Sequence, residues 1–327
     1  MRVLVTGGAG YVASHAAKAL ALDGHEVITL DNLSTGHAWA VKWGPLVRGD
    51  VGDSQSVLQI LDKYQPDAVV HFAGSAYVGE SMTAPGRYFE NNVTNSLRLL
   101  EAIVTDGARP FVFSSSCAVY GIPHVLPINE DAPQTPVNPY AESKLMVERA
   151  LRWYGEIHGL PWAALRYFNA AGADEKGQLG ELHAPEPHLI PRVIAAATGR
   201  SESVEIFGTD YPTRDGTAIR DYVHVSDLAD AHVRTLARLE TGMEIGGFNL
   251  GTGNGFTVRE VIVAVEAVAG LSVPYIEAPR RPGDPAELVA DASRAATVIG
   301  WRPQSSSLES IVSSAWEWHR TRAGVHI

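Results

Sequence analysis

The sequence has little cysteine and little positive charge, and both shortages exclude classes of function. Its 327 residues include a single cysteine, Cys117, which excludes an internal disulfide framework and a cysteine-rich metal site. Lysine and arginine together number 26 against 37 acidic residues, and no run of basic residues occurs. Nucleic acids and anionic membranes need a basic patch, so neither is an expected partner. No metal site is predicted, and one cysteine fits a reducing cytoplasm.

Long hydrophobic runs are missing as well. The most apolar stretch, VIVAVEAVAGL, is too short to cross a membrane and contains Glu266. The first residues, MRVLVTGGAG, predict a strand broken by glycines instead of a signal peptide. With 45% hydrophobic and 19% charged residues, the chain has a globular composition and enough length for one large α/β domain or two unequal ones.

Strand and helix patterns alternate along the first half of the chain. The β-branched runs RVLVT, EVITL and DAVVHFA are separated by helical patterns, including one from about Val12 to Asp23. A later helix is predicted from Ala141 to His158. This alternation is typical of a Rossmann-type, doubly wound parallel sheet with helices on both faces. The predicted fold class is therefore α/β.

The alternation ends after Phe168. Residues 169–188 are rich in glycine, proline and charge, which predicts a long functional loop before a helix over residues 189–198. We therefore expect a larger Rossmann-type domain followed by a smaller C-terminal domain. The predicted division is 1–168 with a return segment at about 218–250 for the first, and 169–217 with 251–327 for the second.

A glycine-rich turn links the first strand to the first helix. Gly7, Gly8 and Gly10 permit a tight turn and let the backbone approach a pyrophosphate, which then lies at the positive end of the helix dipole. The next strand ends in Asp31, at the offset of about 20 residues where a carboxylate meets the adenosine ribose. Because this carboxylate would repel a 2'-phosphate, the predicted cofactor is NAD and not NADP.

Tyr140 and Lys144 are four residues apart at the start of a predicted helix, so their side chains project from one face. A free tyrosine, with a pKa near ~10, is a poor base at neutral pH, but a neighbouring cation and an oxidised nicotinamide both favour the phenolate. The preceding strand ends in Ser114, Ser115 and Ser116, at the sheet edge where open α/β proteins bind ligands. We therefore predict that the pair is catalytic.

Eight motifs run in order along nearly the whole chain: TGGAGYVAS, LDNLSTG, FAGSAYVGES, FSSSCAVYG, PYAESK, LRYFNAAGA, FGTDYPTRDGTAIRDYVHV and RRPGD. In these motifs the sequence resembles the UDP-galactose 4-epimerase family of extended short-chain dehydrogenases. The resemblance implies NAD held through the catalytic cycle and a smaller domain that closes over a UDP-sugar. The implied cofactor positions are Gly7, Gly10, Tyr11, Val12, Asp31, Asn32, Asp50, Val51, Phe72, Ala73, Asn91, Ser114, Tyr140, Lys144 and Tyr167. The implied substrate positions are Ser116, Asn169, His188, Leu189, Arg192, Phe207, Arg220, Arg281, Asp284 and Leu288.

The resemblance also implies a mechanism. Tyr140, as phenolate, takes the proton from the sugar 4-hydroxyl with Ser116 as a hydrogen-bonding bridge, while hydride passes from C4 to the nicotinamide. Lys144 keeps the tyrosine acidic and orients the nicotinamide ribose. The 4-keto sugar then presents its other face and takes the hydride back, so C4 is inverted without net oxidation. A homodimer joined by helices near residues 92–104 and 142–157 is implied as well.

Two residues bear on the choice of sugar. Leu288 matches the position beside the sugar 2-substituent, and its bulk disfavours an N-acetylhexosamine. Arg192 follows Leu189 by three residues, so we expect it to face the same pocket. A guanidinium there would bind a C6 carboxylate, and we hypothesise that UDP-glucuronate is accepted beside UDP-glucose. The competing interpretations are an arginine that extends to solvent and a glucuronate-specific 4-epimerase.

Three other functions stay open on the sequence. A sugar-nucleotide 4,6-dehydratase needs an acidic pair after the catalytic hydroxyl, where this chain has Cys117 and Ala118. A UDP-glucuronate decarboxylase is expected to carry a glutamate in that segment, and none is there. A regulatory protein that senses NAD and has lost catalysis would be expected to lack the Tyr/Lys pair, whereas this chain has both Tyr140 and Lys144. His183 and His224 are assigned to packing or surface and to no site.

Overall fold

The computed structural model describes residues 1–242, 246–281 and 283–321, which form one large sheet and a smaller C-terminal region. The end of the predicted substrate-binding domain, residues 322–327, lies outside the described residues. The strands are β1 (Arg2–Thr6), β2 (Glu26–Asp31), β3 (Leu46–Arg48), β4 (Ala68–His71), β5 (Phe111–Ser116), β6 (Trp162–Tyr167), β7 (Asn169–Ala171), β8 (Val204–Phe207), β9 (Ile219–His224), β10 (Gly246–Leu250), β11 (Gly255–Thr257), β12 (Tyr275–Ala278) and β13 (Glu287–Leu288). The α-helices are α1 (Tyr11–Leu22), α2 (Ser54–Tyr64), α3 (Val78–Ser81), α4 (Pro85–Tyr88), α5 (Asn95–Asp106), α6 (Pro139–His158), α7 (Leu189–Ala197), α8 (Val225–Leu239), α9 (Val258–Ala269), α10 (Ser293–Val298) and α11 (Leu308–Thr321).

The main sheet is parallel and, within the described residues, has seven strands in the order β3-β2-β1-β4-β5-β6-β10. Central strands such as AVVH are buried along their whole length, because helices cover both faces of the sheet. The strand order reverses between β1 and β4, and ligands bind such sheets at the carboxyl ends of the strands beside this point. The predicted Rossmann-type α/β fold is confirmed.

Three predicted helices occur within two residues of their expected ends. They are α1, α6 and α7, which begin at Tyr11, Pro139 and Leu189. Helix α6 begins earlier than expected because Asn138 accepts a hydrogen bond from the backbone nitrogen of Ala141 at 2.9 Å and Pro139 takes the first helical position. In the part of the chain that the structure describes, no helix has both the length and the apolar character needed to cross a lipid bilayer.

The smaller region has its own strands and core. Strand β9 pairs with β7, β11 and β13, and β8 pairs with β12. Helices α7, α9 and α11 pack around them through aliphatic side chains such as Val193, Val265 and Ile311. Within the predicted return segment, β9 belongs to this smaller region, whereas α8 packs on α1 and β10 joins the main sheet. The division into two domains stays a prediction.

Candidate active site

The turn between β1 and α1 has the shape of a phosphate site. Gly7 has a positive φ of 69°, and a Cβ at this position would lie 2.6 Å from the backbone nitrogen of Ala73. Gly10 caps α1 without a side-chain hydrogen bond, so within the described residues no capping side chain occupies the first N–H groups of the helix, which are those of Tyr11 and Val12. These free donors and the helix dipole fit the pyrophosphate of a dinucleotide.

Asp31 ends β2 beside this turn, as the sequence predicts. Its carboxylate accepts hydrogen bonds from the backbone nitrogens of Ala9 at 3.0 Å and Leu33 at 2.7 Å, which hold the side chain against the turn. The side chain of Asn32 donates to Asp50 Oδ2 at 2.9 Å, so the residues that follow β2 and β3 lie together. Each carboxylate oxygen keeps a second lone pair, so Asp31 can still accept from ribose hydroxyls. The arrangement fits the adenosine half of NAD.

The predicted catalytic residues meet at the carboxyl end of β5. Ser116 is the last residue of that strand, and Tyr140 is the second residue of α6, held there by the helix cap. The Ser116 side chain is close enough to Tyr140 to lower the pKa of its phenol. Lys144 Nζ lies 6.0 Å from the centre of the Tyr140 ring and donates a hydrogen bond to the backbone oxygen of Ser114 at 2.8 Å. The helical spacing therefore places Tyr140 beside Ser116 and Lys144 beside Tyr140 and the backbone of Ser114.

Burial works against the ionisation of both side chains in the protein alone. It raises the pKa of Tyr140 to about 12, despite the opposite effect of Ser116, and it lowers the pKa of Lys144 to about 8. At neutral pH the phenol therefore keeps its proton and Lys144 stays mostly charged. A phenolate at Tyr140 needs a further positive charge nearby, which an oxidised nicotinamide would supply.

The other predicted cofactor residues follow the carboxyl ends of neighbouring strands. The Phe72 ring, just after β4, lies 4.7 Å from the His232 ring, measured between centres. The Tyr167 hydroxyl, at the end of β6, lies 2.6 Å from His232 Nε2. Asn91 donates a hydrogen bond to Ser75 Oγ at 2.9 Å in the loop after β4. Two further predicted positions, Val51 and Ala73, follow β3 and β4.

Asn92 is a buried residue that the sequence did not single out. Its side chain accepts from the backbone nitrogen of Ser75 at 2.7 Å and donates to Ser75 O at 3.0 Å and Ser143 Oγ at 2.9 Å. These hydrogen bonds fasten the loop after β4 to α6, the helix that carries Tyr140. Nothing in the sequence distinguishes Asn92 from its neighbour Asn91.

Arg220 lies on β9, near the predicted catalytic residues. Its guanidinium forms an ion pair with Asp284, so two predicted substrate residues are brought together. It is also near Cys117, the residue after Ser116. Burial raises the pKa of the Cys117 thiol to about 12, and the charge of Arg220 acts against this rise. Leu288 is the partner of Arg220 in the pairing of β9 with β13. These predicted substrate residues therefore adjoin the predicted catalytic ones.

A second cationic group lies close to Arg220. The Arg281 guanidinium is 3.8 Å from the centre of the Phe207 ring, a cation–π contact, and burial lowers its pKa. The charges of Asp284, Arg192 and Glu205 also act on Arg281, so these groups share one region. Arg192 Nη2 donates to Glu205 Oε2 at 3.1 Å. Arg192, which the sequence predicts to bind a sugar carboxylate, is therefore already paired with the carboxylate of Glu205.

Asn169 and Leu189 flank the long loop that leads into α7. Asn169 begins β7, where it is the partner of Tyr222 in β9, and the half-buried Leu189 begins α7. His188 caps that helix without a side-chain hydrogen bond to it.

His188 belongs to a cluster with Glu181, His183 and Glu186, whose ligand atoms all lie within 4.8 Å of one another. The sequence reasoning placed His188 at the substrate and gave His183 no site. The spacing E-x-H-x-x-E-x-H over residues 181–188 is the signal that could have linked the four.

Comparison with known proteins gives the family. A family model described as the NAD dependent epimerase/dehydratase family matches residues 3–251. The chain belongs to this family. A relative in it, a UDP-glucose 4-epimerase of Rhizobium meliloti (strain 1021), is 49% identical over 320 residues, which is 98% of this chain and 97% of the relative.

Solved structures of similar proteins share the whole fold. The UDP-glucose 4-epimerase from Brucella ovis in complex with NAD is 48% identical and superposes with a TM-score of 0.95 over 97% of each chain. The UDP-glucose 4-epimerase from Bifidobacterium longum in complex with NAD+ and UDP is 38% identical, with a TM-score of 0.92 over 98% of each chain. The resemblance read from the eight motifs is confirmed, and membership of the NAD dependent epimerase/dehydratase family makes NAD the cofactor.

Proposed function

We propose that the protein is an NAD-dependent UDP-glucose 4-epimerase, an isomerase that inverts C4 of a UDP-hexose through a 4-keto intermediate. The observation that carries the proposal is the meeting of Tyr140, Lys144 and Ser116 at the sheet edge, between the dinucleotide turn and Arg220. Reversible oxidation at C4 needs a proton acceptor, a hydride acceptor and a site that holds the nucleotide. At this edge Tyr140 suits the first role, NAD bound at the dinucleotide turn would supply the second, and Arg220 suits the third.

Tyr140 carries out the proton transfer. It removes the proton from the sugar 4-hydroxyl, and Ser116 holds that hydroxyl in place by a hydrogen bond. NAD held by the turn at Gly7 and Gly10 and by Asp31 would supply the acceptor for the C4 hydride and the donor that restores it on the opposite face of the keto sugar. Lys144 orients the nicotinamide ribose, and its charge favours the phenolate. Tyr140 then gives the proton back to the 4-oxygen, so no net oxidation occurs.

The nucleotide is held by the arginine side chains of the smaller region. Arg220 and Arg281 are both suited to a diphosphate, since each guanidinium offers a fork of N–H donors. Asp284 orients the first, and the Phe207 ring supports the second. Because the hexose must turn over between the two hydride transfers, the binding energy has to lie on the UDP group and not on the sugar.

Arg192 is the residue that bears on which sugar the substrate carries. The relatives described above are named UDP-glucose 4-epimerases, which gives no support to a glucuronate-specific enzyme. A carboxylate at C6 would have to displace Glu205 from Arg192 and would lie beside a like charge. UDP-glucuronate as a second substrate stays a hypothesis.

Product analysis by NMR tests this function. Purified protein incubated with UDP-galactose and no added NAD is expected to produce an equilibrium mixture with UDP-glucose, because bound cofactor is regenerated in every turnover. UDP-glucuronate is run in parallel with the wild type and with Arg192→Ala. If Arg192 binds the carboxylate, the variant loses turnover of UDP-glucuronate and keeps that of UDP-galactose.

Each other product has a distinct meaning. A 4-keto-6-deoxy sugar would identify a dehydratase, and loss of carbon dioxide would identify a decarboxylase. Bound NAD with no conversion of any UDP-sugar would favour a protein that senses NAD. An equal loss on both substrates in Arg192→Ala, or no loss on either, would remove the proposed role of Arg192.

An apolar stripe on α6 suits a second copy of the chain. Met146, Trp153 and Ile157 lie on one face of the helix, and Trp153 and Ile157 are 53% and 69% exposed. Exposed apolar side chains grouped in this way mark interaction surfaces. We infer a homodimer in which α5 and α6 of two copies pack together, as the sequence predicts. The cytoplasmic location also stays a prediction.

Trp153→Glu is expected to convert this dimer to a monomer, because it places a charge in an apolar interface. Light scattering after size-exclusion chromatography measures the mass. Leu22→Glu is the matched control, since Leu22 is 75% exposed at the end of α1 and lies off the stripe. A monomeric wild type, or a dimer in both variants, would contradict the interface.

A further inference from the structure

Four potential metal ligands converge in the loop before α7. They are Glu181, His183, Glu186 and His188, and their ligand atoms all lie within 4.8 Å of one another. The proton-transfer and nucleotide-binding steps proposed above use none of the first three. The side chains of Glu181, His183 and Glu186 are 5%, 17% and 21% exposed, so most of the site is shielded from water. His188 is 45% exposed and leaves a path by which an ion can enter.

The distances between these atoms match those around a small tetrahedral ion. Metal–ligand bonds of 2.0–2.2 Å to nitrogen and oxygen place neighbouring ligands about 3.3–3.5 Å apart. His183 Nδ1 lies 3.2 Å from Glu181 Oε1 and 3.7 Å from Glu186 Oε1, and His188 Nδ1 lies 3.4 Å from the same Glu186 oxygen. The separation between His188 Nδ1 and Glu181 Oε1, 2.5 Å, is shorter and would widen around an ion.

Glu181 gives an independent indication. Its side chain is almost fully buried, yet neither Glu181 Oε1 nor His183 Nδ1 has a hydrogen bond in the described residues. The two atoms face each other at 3.2 Å without hydrogen-bond geometry. Glu181 Oε1 has ion-pair contacts with His183 and His188 but no aligned hydrogen bond, and ligation to a cation would offset its desolvation cost more fully. Two carboxylates and two neutral imidazoles also balance the charge of a divalent ion.

We propose that Glu181, His183, Glu186 and His188 bind one divalent transition-metal ion of the zinc type. Imidazole nitrogens combined with carboxylate oxygens in a four-coordinate set suit zinc. Magnesium and calcium require six or more oxygen ligands, so neither fits this set.

The site lies where the loop meets the dinucleotide-binding side of the protein. The Trp318 indole donates to the backbone oxygen of Glu181 at 2.9 Å, and His37 Nε2 lies 3.1 Å from the backbone oxygen of Leu182. The Tyr11 hydroxyl donates to Gly172 O at 2.6 Å near the other end of the loop. An ion would therefore link a loop that touches α1 and the segment after β2 to the first turn of α7. We expect it to stabilise the folded protein rather than take part in chemistry.

Zinc binding to the purified holoenzyme tests the proposal. Competition with a chromophoric chelator is expected to show one tight site in the wild type, with affinity at least about 100-fold weaker in His183→Ala. His124→Ala is the matched control, because it removes an exposed histidine outside the cluster and should bind as tightly as the wild type. Zinc is expected to raise the thermal midpoint of the wild type and of the control, but not that of His183→Ala.

Cobalt(II) provides a second measurement that does not depend on affinity alone. Bound cobalt is expected to show the intense visible bands of four-coordinate Co2+ in the wild type and to lose them in His183→Ala. Glu186→Gln keeps the size of the side chain and weakens one ligand, so it serves if His183→Ala does not fold. No tight site in the wild type, or equal zinc affinity in the wild type and in a folded variant of either ligand, would overturn the proposal and leave the cluster as ion pairs.

Discussion

Tyr140→Phe is expected to lower kcat for UDP-sugar epimerisation by about 100- to 10,000-fold, because phenylalanine cannot accept or return the 4-hydroxyl proton. The ring still fills its place against Tyr88, whose ring centre lies 6.5 Å away, so the site should keep its shape. Steady-state kinetics with UDP-galactose measure the change, and release of nucleotide on denaturation measures bound NAD. We expect the variant to retain NAD, since the residues of the dinucleotide turn are unchanged.

Tyr154→Phe is the matched control for this substitution. Tyr154 lies on the same helix, and its hydroxyl donates to Glu101 Oε2 at 3.0 Å, so the change also removes one hydroxyl from α6. We expect its kcat to stay close to that of the wild type. If Tyr140→Phe retained the native rate with NAD bound, the assignment of Tyr140 as the proton acceptor would fail. A loss of bound NAD together with activity would instead indicate damage to the cofactor site.

Arg166→Met is expected to lower the free energy of unfolding by about 3–5 kcal/mol, because it leaves the carboxylate of Glu148 buried and unpaired. Both side chains are 6% exposed, and the guanidinium donates to Glu148 through Nε at 3.0 Å and through Nη2 at 2.6 Å. The same guanidinium donates to the Tyr120 hydroxyl at 2.7 Å. Ser115 of β5 also donates to Glu148, so the network joins β6 to α6 and β5, the elements that carry Tyr140, Lys144 and Ser116. Urea denaturation at neutral pH measures the loss.

Two further variants separate charge burial from other effects. Arg166→Met combined with Glu148→Met removes both charges, and we expect it to recover much of the lost stability. Arg320→Met breaks an exposed pair with Glu317, in which both side chains are more than half exposed, and should cost about 1 kcal/mol or less. If Arg166→Met lowered the free energy of unfolding no more than Arg320→Met does, the buried pair of Arg166 and Glu148 would not stabilise this part of the fold.

Much of the candidate site was predictable because it depends on local spacing. The turn at Gly7 and Gly10, the carboxylate of Asp31 at the end of β2, and the pairing of Tyr140 with Lys144 on α6 all follow from residues close in sequence. The parallel sheet then brings their strand ends to one edge.

The sequence did not predict how strongly burial affects the catalytic pair. A helical wheel places Lys144 beside Tyr140, and proximity of a cation suggests an acidic phenol. In the folded protein both side chains are enclosed, and burial raises the pKa of Tyr140 to about 12 and lowers that of Lys144 to about 8. Desolvation depends on every element that packs around the pair, so it cannot be read from the spacing of two residues.

The sequence by itself determined the fold class and the cofactor and predicted the pairing of Tyr140 with Lys144, because these rest on hydrophobic periodicity and on short motifs that act through local geometry. The tertiary structure alone decided the partner of Arg192, which is Glu205 on β8, and the convergence of His183 with three other ligands in a loop without periodic structure. The physical reason is the same for both. Contacts between irregular or distant segments depend on how the chain packs in three dimensions, and no repeat along the sequence encodes that packing.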